Sequence, residues 1–399
     1  MFENVDTAPP DAIFGLNEAL RRDARPHKIN LGAGVYKNEA GETPVLAAVK
    51  EAEGRILDRE TSKSYLPIDG LGSYAERVRQ LHFGDESEIL ADRRAVTAQA
   101  PGGTGALRVA GDFLKTVRGD ACIWMSDPTW ANHPQIYDAV GLRRKSYPYF
   151  DPATHGLAFD RMLAVLERAP EGDLVLLHGC CHNPSGVDPT AEQWSEIGEL
   201  LAARRLFPVV DFAYQGFARG VEEDVEWLRV LCRAVPELMV CASFSKNFGL
   251  YNERVGALTV VAADAGRAAA VLSQVKRTAR ANYSNPPAHG AAIVDTVLGD
   301  PELRAQWEAE LDRMRRRIQR MRRLLAAGLD QRGVRLHPDG NGFIVRQNGM
   351  FSFSGLGPEQ VETLRREHAI YLVGSGRINV AGVTEANVDR LCDAIAAVR

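Results

Sequence analysis

Lys246 lies in the stretch Ser243-Phe244-Ser245-Lys246-Asn247-Phe248-Gly249, directly after the apolar run Leu238-Met239-Val240-Cys241-Ala242. That spacing sets an amine at the end of a buried strand, among hydroxyls, with Arg254 further along the chain. Desolvation and a nearby cation both favour the neutral amine that attacks a carbonyl. Ser243, Ser245 and Arg254 are suitable groups for holding a phosphate. Two readings follow from these residues alone. Lys246 is a Schiff-base nucleophile for an aldehyde carrying a phosphate, as pyridoxal 5'-phosphate (PLP) does, or it is a solvated lysine at a strand end.

The other reactive groups also admit two readings each. Gly102-Gly103-Thr104-Gly105 opens a helical pattern over Ala106 to Val117. Free amides at a helix start, with glycines allowing close approach, bind phosphate. Arg108 stands where a dinucleotide fingerprint needs its third glycine, and no P-loop lysine follows. Asp211 ends the apolar strand Phe207 to Val210, with Tyr214 just beyond. A carboxylate there is a capped or salt-bridged strand end, or it pairs with a cationic ring nitrogen and makes the ring an electron sink. His178-Gly179-Cys180-Cys181-His182 offers nitrogen and sulfur ligands, but groups so close in sequence do not easily surround one tetrahedral zinc. No metal is expected. The better reading is a strand end and a turn begun by Asn183-Pro184, with Asn183 facing the sheet mouth. Trp130 follows another strand and either packs or stacks on a planar ring. Arg377 and Arg280 are each a carboxylate clamp or an ordinary arginine.

These groups need strands to carry them. Ala121 to Met125, Asp173 to His178, Leu206 to Asp211, Leu238 to Ser243 and Val255 to Val261 are apolar runs, and helical patterns such as Thr190 to Arg204 separate most of them. Continuous apolar strands between helices predict an α/β domain with a mostly parallel sheet covered on both faces. From Pro301 the pattern changes. Leu303, Trp307, Leu311, Met314, Ile318, Met321, Leu325 and Leu329 recur every three or four residues, one face of a long helix ended by Gly333. Beyond it come short elements over Gly342 to Gln347 and Met350 to Ser354, a helix Pro358 to His368, a strand Ile370 to Val373 and a helix Thr384 to Val398. They predict a smaller α+β domain, beside which the first forty or so residues pack. Seven arginines between Arg313 and Arg323 are read as a solvated helix face rather than a nucleic-acid helix, because the apolar stripe is intact.

Composition excludes several classes. The 399 residues are 45% hydrophobic and 25% charged, which is globular composition, and the length predicts two domains. A net charge of -4 gives no field for nucleic acid or an anionic membrane. No apolar run approaches the roughly 20 residues that span a bilayer. The start MFENVDTAPPDAIFGL lacks a basic region followed by an apolar core, so no signal peptide is expected. The six cysteines lack the spacing of a disulfide framework, so a reduced, cytoplasmic protein is expected.

Taken together, the motifs NLGAGVYKNE, YLPIDG, GGTGAL, DPTWANH, HGCCHNPSG, DFAYQGF, SFSKNFGLYNERVG, NYSNPPAHG, NGMFSFSGL and SGRINVAG resemble the aspartate/aromatic aminotransferases, fold-type I PLP enzymes. The match runs in order from about Phe2 to the C-terminus. The resemblance implies that Lys246 holds PLP covalently and shuttles a proton, and that Asp211 pairs with the pyridine nitrogen. Tyr214 and Asn183 would bond the phenolic oxygen and Trp130 would stack on the ring. Gly103, Thr104, Ser243, Ser245 and Arg254 would hold the phosphate, joined by Tyr65 from a second subunit. Arg377 would clamp the substrate's alpha-carboxylate, with Gly34, Trp130 and Asn183 near it. Arg280 would reach a dicarboxylate side chain across the subunit boundary.

The resemblance further implies a homodimer with shared active sites, amino-acid and keto-acid substrates, and ping-pong kinetics. It implies a large domain over residues 44–312, a small closing domain from 14–43 and 313–399, and an arm, residues 1–13, on the partner. Arg280, Val35, Lys37, Thr43, Thr104 and Asn285 look like the aspartate branch, with 2-oxoglutarate as acceptor. Ser64 and Pro67 look like aromatic-accepting relatives. The expectation is an aspartate aminotransferase with aromatic activity. An aromatic aminotransferase of dual specificity and a PLP-dependent lyase or decarboxylase are the alternatives; Arg377 opposes decarboxylation by holding the carboxylate. A PLP-binding regulator would need an added DNA-binding domain, for which no segment is expected.

Overall fold

A computed structural model describes residues 2–7 and 14–399. Residues 1 and 8–13, most of the expected arm, lie outside the described residues. The chain divides into two compact units, one of residues 44–316 and one that joins the residues up to Thr43 with Arg317–Arg399.

The first unit is built on seven strands: β1 (Ala95–Pro101), β2 (Cys122–Asp127), β3 (Arg143–Pro148), β4 (Leu174–His178), β5 (Phe207–Phe212), β6 (Leu238–Ser243) and β7 (Val255–Val261). Their order across the sheet is β1-β7-β6-β5-β4-β2-β3. β7 runs antiparallel to both neighbours, and the remaining pairs are parallel. Every residue of β4, β6 and β7 is buried, as a sheet covered on both faces requires. The sheet is therefore the mixed, mostly parallel one that the apolar runs predict.

The two strands that the pattern misses are the edges. β3 exposes Arg143, Arg144, Lys145 and Ser146, the charged guard that keeps an open edge from pairing with another chain. β1 reads AVTAQAP, with too little bulk to mark a strand, and Thr97 is tied to Thr259 across the ladder at 2.8 Å. The helix expected from Ala106 begins at Gly102. Thr190 accepts from the Gln193 amide and Gln193 answers onto the Thr190 amide, a reciprocal cap that starts the helix Ala191–Ala203.

The long helix spans Pro301–Gln331, and the boundary between the units falls within it. All eight residues of its apolar stripe are buried. Its arginines divide: Arg313, Arg316, Arg320 and Arg323 are exposed, as a solvated face predicts, while Arg315 and Arg317 are half-buried and Arg322 is buried. Arg315 and Arg316 pair with Asp312, Arg317 with Glu39 and Arg320 with Glu385. Arg317 also donates to the carbonyls of Ala381 and Val383, and Arg322 is buried among carbonyls. Spacing along a helix shows which face a residue lies on, not what a distant loop brings to it.

In the second unit, Gly342–Arg346 is a short helix. Phe351–Phe353 pairs antiparallel with Arg377–Asn379, and Ile29–Asn30 pairs parallel with Ile370–Tyr371. The helix Pro358–His368 falls where expected, while the last helix is shorter, Val388–Val398. The Ile370 pairing ties the start of the chain to its end.

His82, in the helix Gly72–Phe83, is 0% exposed and packs against Phe83 and Phe212. Neither ring nitrogen has a hydrogen-bond partner among the described residues. Burial pushes its pKa down to about 3, because the charged form has no solvation there. The unfolded chain therefore takes up this proton first, and stability falls as pH drops from about 6.5 towards 3. His82→Leu is expected to relieve this penalty by about 2 kcal/mol near pH 5, and by far less near pH 8. Thermal melts of both chains at the two pH values check it; an equal difference at both would refute the assignment.

Candidate active site

Three parallel strands that lie side by side deliver the polar centre. β5 carries Asp211 near its end, β4 ends at His178, and beyond β2 come Thr129 and Trp130 on a turn and His133 in the first turn of the helix Asn132–Val140. His178 and Asp211 are direct partners in the β4–β5 register. His133 Nε2 lies 2.9 Å from Asp211 Oδ2, and its Nδ1 lies 2.8 Å from Thr129 Oγ1. Thr129 Oγ1 is in turn 3.1 Å from His178 Nε2. With both histidines neutral, one assignment of protons makes all three bonds. His178 Nε2–H donates to Thr129, the Thr129 hydroxyl donates to His133 Nδ1, and His133 Nε2–H donates to the carboxylate.

Asp211 is 8% exposed. Burial acts to raise its carboxyl pKa, but the His133 hydrogen bond, helped by the nearby Lys246, outweighs burial and holds it below its ordinary value. His178 is pushed down to about 3, first by burial and then by His133. The arrangement favours the ionised carboxylate at a sheet end, with neutral His178 behind it.

Lys246 follows β6 on a turn that the rest of its unit clamps. The Trp307 indole donates to the Asn247 carbonyl at 2.8 Å, and its ring stacks on Phe248 at 4.5 Å. Phe244 bonds back to Val255. Lys246 Nζ lies 5.2 Å from the centre of the Tyr214 ring, and its charge reaches Asp211. Tyr214 is buried on the turn after β5. That turn is fixed by Asp224, whose carboxylate accepts from the amides of Gly216, Ala218 and Arg219 at 2.8–3.0 Å.

A cluster of hydrogen-bond donors stands at the start of the helix Gly102–Val117. Gly102 has φ +74, and a Cβ there would come within 2.5 Å of Arg254 Nη2. A Cβ on Gly103 would come 3.1 Å from Ser243 Cβ. Ser243 and Ser245 hydroxyls are 3.2 Å apart. Gly102, Gly103, Ser243, Ser245 and Arg254 thus surround one space at the start of the helix Gly102–Val117, whose first turn includes Thr104. Amides, hydroxyls and a guanidinium around a space that a side chain would fill are the donor set a phosphate requires. These residues fit a phosphorylated ring whose nitrogen Asp211 would meet and whose aldehyde Lys246 would meet.

The remaining expected residues separate into three groups. Asn183 is buried on the loop after β4, and Trp130 packs edge-on against His133 with ring centres 5.2 Å apart. Tyr65 is 91% exposed, and Arg280 is exposed with its guanidinium on Ser284, so this chain holds both on its own surface. In the other unit, Arg377 is buried, donates to the Gly32 carbonyl at 2.7 Å and lies 4.2 Å over the Phe351 ring. A Cβ on Gly34 would come 3.3 Å from the same ring.

Thr129, His133 and His178 are working parts that their local sequence does not announce, whereas Gly102 belongs to the glycine-rich helix start already read as a phosphate binder. His178 entered only as a metal candidate. Among the described residues no group of three or more His, Cys, Asp or Glu side chains could hold a metal. The available signal was DPTWANH itself, where Thr129 and His133 stand one helical turn apart.

The profile of the family described as Aminotransferase class I and II matches residues 26–395. An aspartate aminotransferase of Salmonella typhi is 54% identical over 398 residues, with all of both chains covered. An aromatic-amino-acid aminotransferase of Pseudomonas aeruginosa is 46% identical over 397 residues, covering 100% of this chain and 98% of the other. The solved structure of an aromatic-amino-acid aminotransferase from Burkholderia pseudomallei, covalently bound to pyridoxal phosphate, has a TM-score of 0.96 and 48% identity, covering 100% and 99% of the two chains.

His133→Phe removes the donor to Asp211 and leaves burial opposed only by the weaker effects of His178 and Lys246. Its titration, followed by isotope-edited infrared spectroscopy, is expected to move to higher pH. An unmoved titration would show that His133 does not set the charge.

Proposed function

The chain belongs to the class I and II aminotransferases, and from that membership we propose that it moves the amino group of L-aspartate, and of aromatic amino acids, to 2-oxoglutarate. The observation that carries this reading is the buried Asp211 carboxylate, held ionised by His133, with Lys246 close enough to lower it further. The coenzyme is pyridoxal 5'-phosphate. When bound, it accepts the amino group and draws electrons from the substrate's alpha carbon into its ring.

The chain's own residues do the rest. Gly102, Gly103, Thr104, Ser243, Ser245 and Arg254 bind the phosphate, and Tyr65 of the partner subunit joins them. Asp211 holds the ring-nitrogen proton, because a carboxylate kept below its ordinary pKa favours a charged partner. Tyr214 and Asn183 orient the phenolic oxygen. Trp130 covers the ring and excludes water from that face. Arg377 grips the alpha-carboxylate in two parallel hydrogen bonds, with Gly34 leaving room for it. Lys246, once displaced, takes the alpha proton on Nζ and returns it. The keto acid leaves, a second keto acid enters, and the same groups run the steps backwards, which gives ping-pong kinetics.

Substrate choice is assigned to Arg280, an exposed guanidinium that would meet a second carboxylate across a homodimer, and is supported by full-length similarity to both aspartate and aromatic aminotransferases. Ser64 and Pro67 favour the wider range. No described helix is long and apolar enough to cross a membrane, and all six cysteines are buried free thiols, which supports a cytoplasmic setting.

PLP-loaded protein given aspartate and 2-oxoglutarate is expected to form oxaloacetate, with slower turnover of phenylalanine and tyrosine. If coupled assays detect none from aspartate, the aspartate assignment fails. Lys246→Ala is expected to lower turnover by roughly 10²–10⁴-fold or more, the usual contribution of a positioned general base. Turnover near that of the unaltered chain would remove Lys246 from the mechanism.

A further inference from the structure

Arg322 is 1% exposed, on the long helix Pro301–Gln331, and its partners include four main-chain carbonyls of one loop. Nη1 donates to Ile344 at 2.8 Å. Nη2 faces Asn348 at 3.1 Å, Gly349 at 2.8 Å and Phe351 at 2.5 Å. Ile344 belongs to the short helix Gly342–Arg346, and Phe351 begins the strand Phe351–Phe353. The guanidinium therefore fixes both ends of the turn that delivers Phe351. A planar fork can meet carbonyls on two sides at once, whereas a lysine ammonium is a point donor.

What Phe351 does next gives Arg322 a purpose. Its ring lies 4.2 Å beneath the Arg377 guanidinium, and its strand pairs with the strand that carries Arg377, with Phe353 opposite Arg377 and Phe351 opposite Asn379. Asn379 in turn donates to the Val35 carbonyl at 2.8 Å, and Arg377 to that of Gly32 at 2.7 Å. A guanidinium over an aromatic face is held by the ring's quadrupole, and its direction follows the ring's position. Displacing a binding group by about 1 Å can lower a rate by about 10²-fold.

We propose that Arg322 is a positioning residue for Arg377: by binding the carbonyls of the 344–351 turn it sets the Phe351 ring, and the ring sets the guanidinium that binds the substrate's alpha-carboxylate. The proposal rests on the reading of Arg377 as that clamp.

The test compares an amino acid with the primary amine that has the same side chain and lacks the carboxylate. In the PLP-loaded dimer, Arg322→Met is expected to lower kcat/KM for the amino acid about tenfold, chiefly through KM, and to leave the slow half-reaction of the amine unchanged. Arg322→Lys is expected to fall between. The Kd of 3-phenylpropionate, an unreactive monocarboxylate, measured by calorimetry, is expected to rise by about the same factor of ten. Phe351→Leu removes the ring but keeps the carbonyl; it is expected to show the same selective loss, and it decides the matter if Arg322→Met does not fold. Equal losses for amine and amino acid, or an unchanged Kd in Phe351→Leu, overturn the proposal. Arg377→Ala separates the two ideas. If it too fails to discriminate amine from amino acid, the clamp reading itself is wrong; if it discriminates and the other variants do not, only the role of Arg322 is lost.

Discussion

A carboxylate buried at the end of a parallel sheet must be solvated by the protein or give up its charge. For Asp211 the solvation comes from His133, and the whole arrangement of β2, β4 and β5 serves that bond. A neutral His133 donates to Asp211 only if its other nitrogen accepts, so Thr129 must donate to it. Thr129 can do so while accepting from His178, which burial keeps neutral. The four members come from three strand ends, with Thr129 and His133 both beyond β2, and the order β5-β4-β2 makes those ends adjacent. The charge is therefore a property of the sheet's topology as much as of one residue. Lys246 adds to the same field from β6, the strand on the other side of β5.

The anion cradle shows the complementary constraint, that of space. Gly102 and Gly103 leave room that no side chain can occupy, because Arg254 and Ser243 already reach into it. The reversed strand β7 makes this possible. Gly256 pairs with Ala100 on one side and Ser243 on the other, so the glycine turn and the lysine turn meet at the same end of the sheet. A Cβ on Gly256 would strike the Gly102 backbone at 2.4 Å, which is why the approach can be so close.

In the other unit the same problem is solved with the opposite sign. Arg317, Arg322 and Arg377 are cations whose donors point at main-chain carbonyls. Carbonyl dipoles spread a guanidinium charge, and a fork of donors fixes the loops that supply them. Such arginines act as rigid struts, which a helix face of merely solvated charges could not provide.

Much of this was legible in order along the chain. Continuous apolar runs marked β2, β4, β5, β6 and β7, since a strand buried on both faces must be apolar throughout. The residues at their ends, Asp211, Lys246 and Arg254, carried their chemistry in their types. The edge strands β1 and β3 were not legible, because an edge needs polar or small residues and loses the apolar mark. What the tertiary structure alone decided was partnership. His133 serves Asp211, Arg254 closes over Gly102, and Arg322 is a buried strut rather than a surface charge. The physical reason is that each pairing joins residues far apart in sequence, through strand order or loop path, while local spacing reports only which side of an element a residue faces.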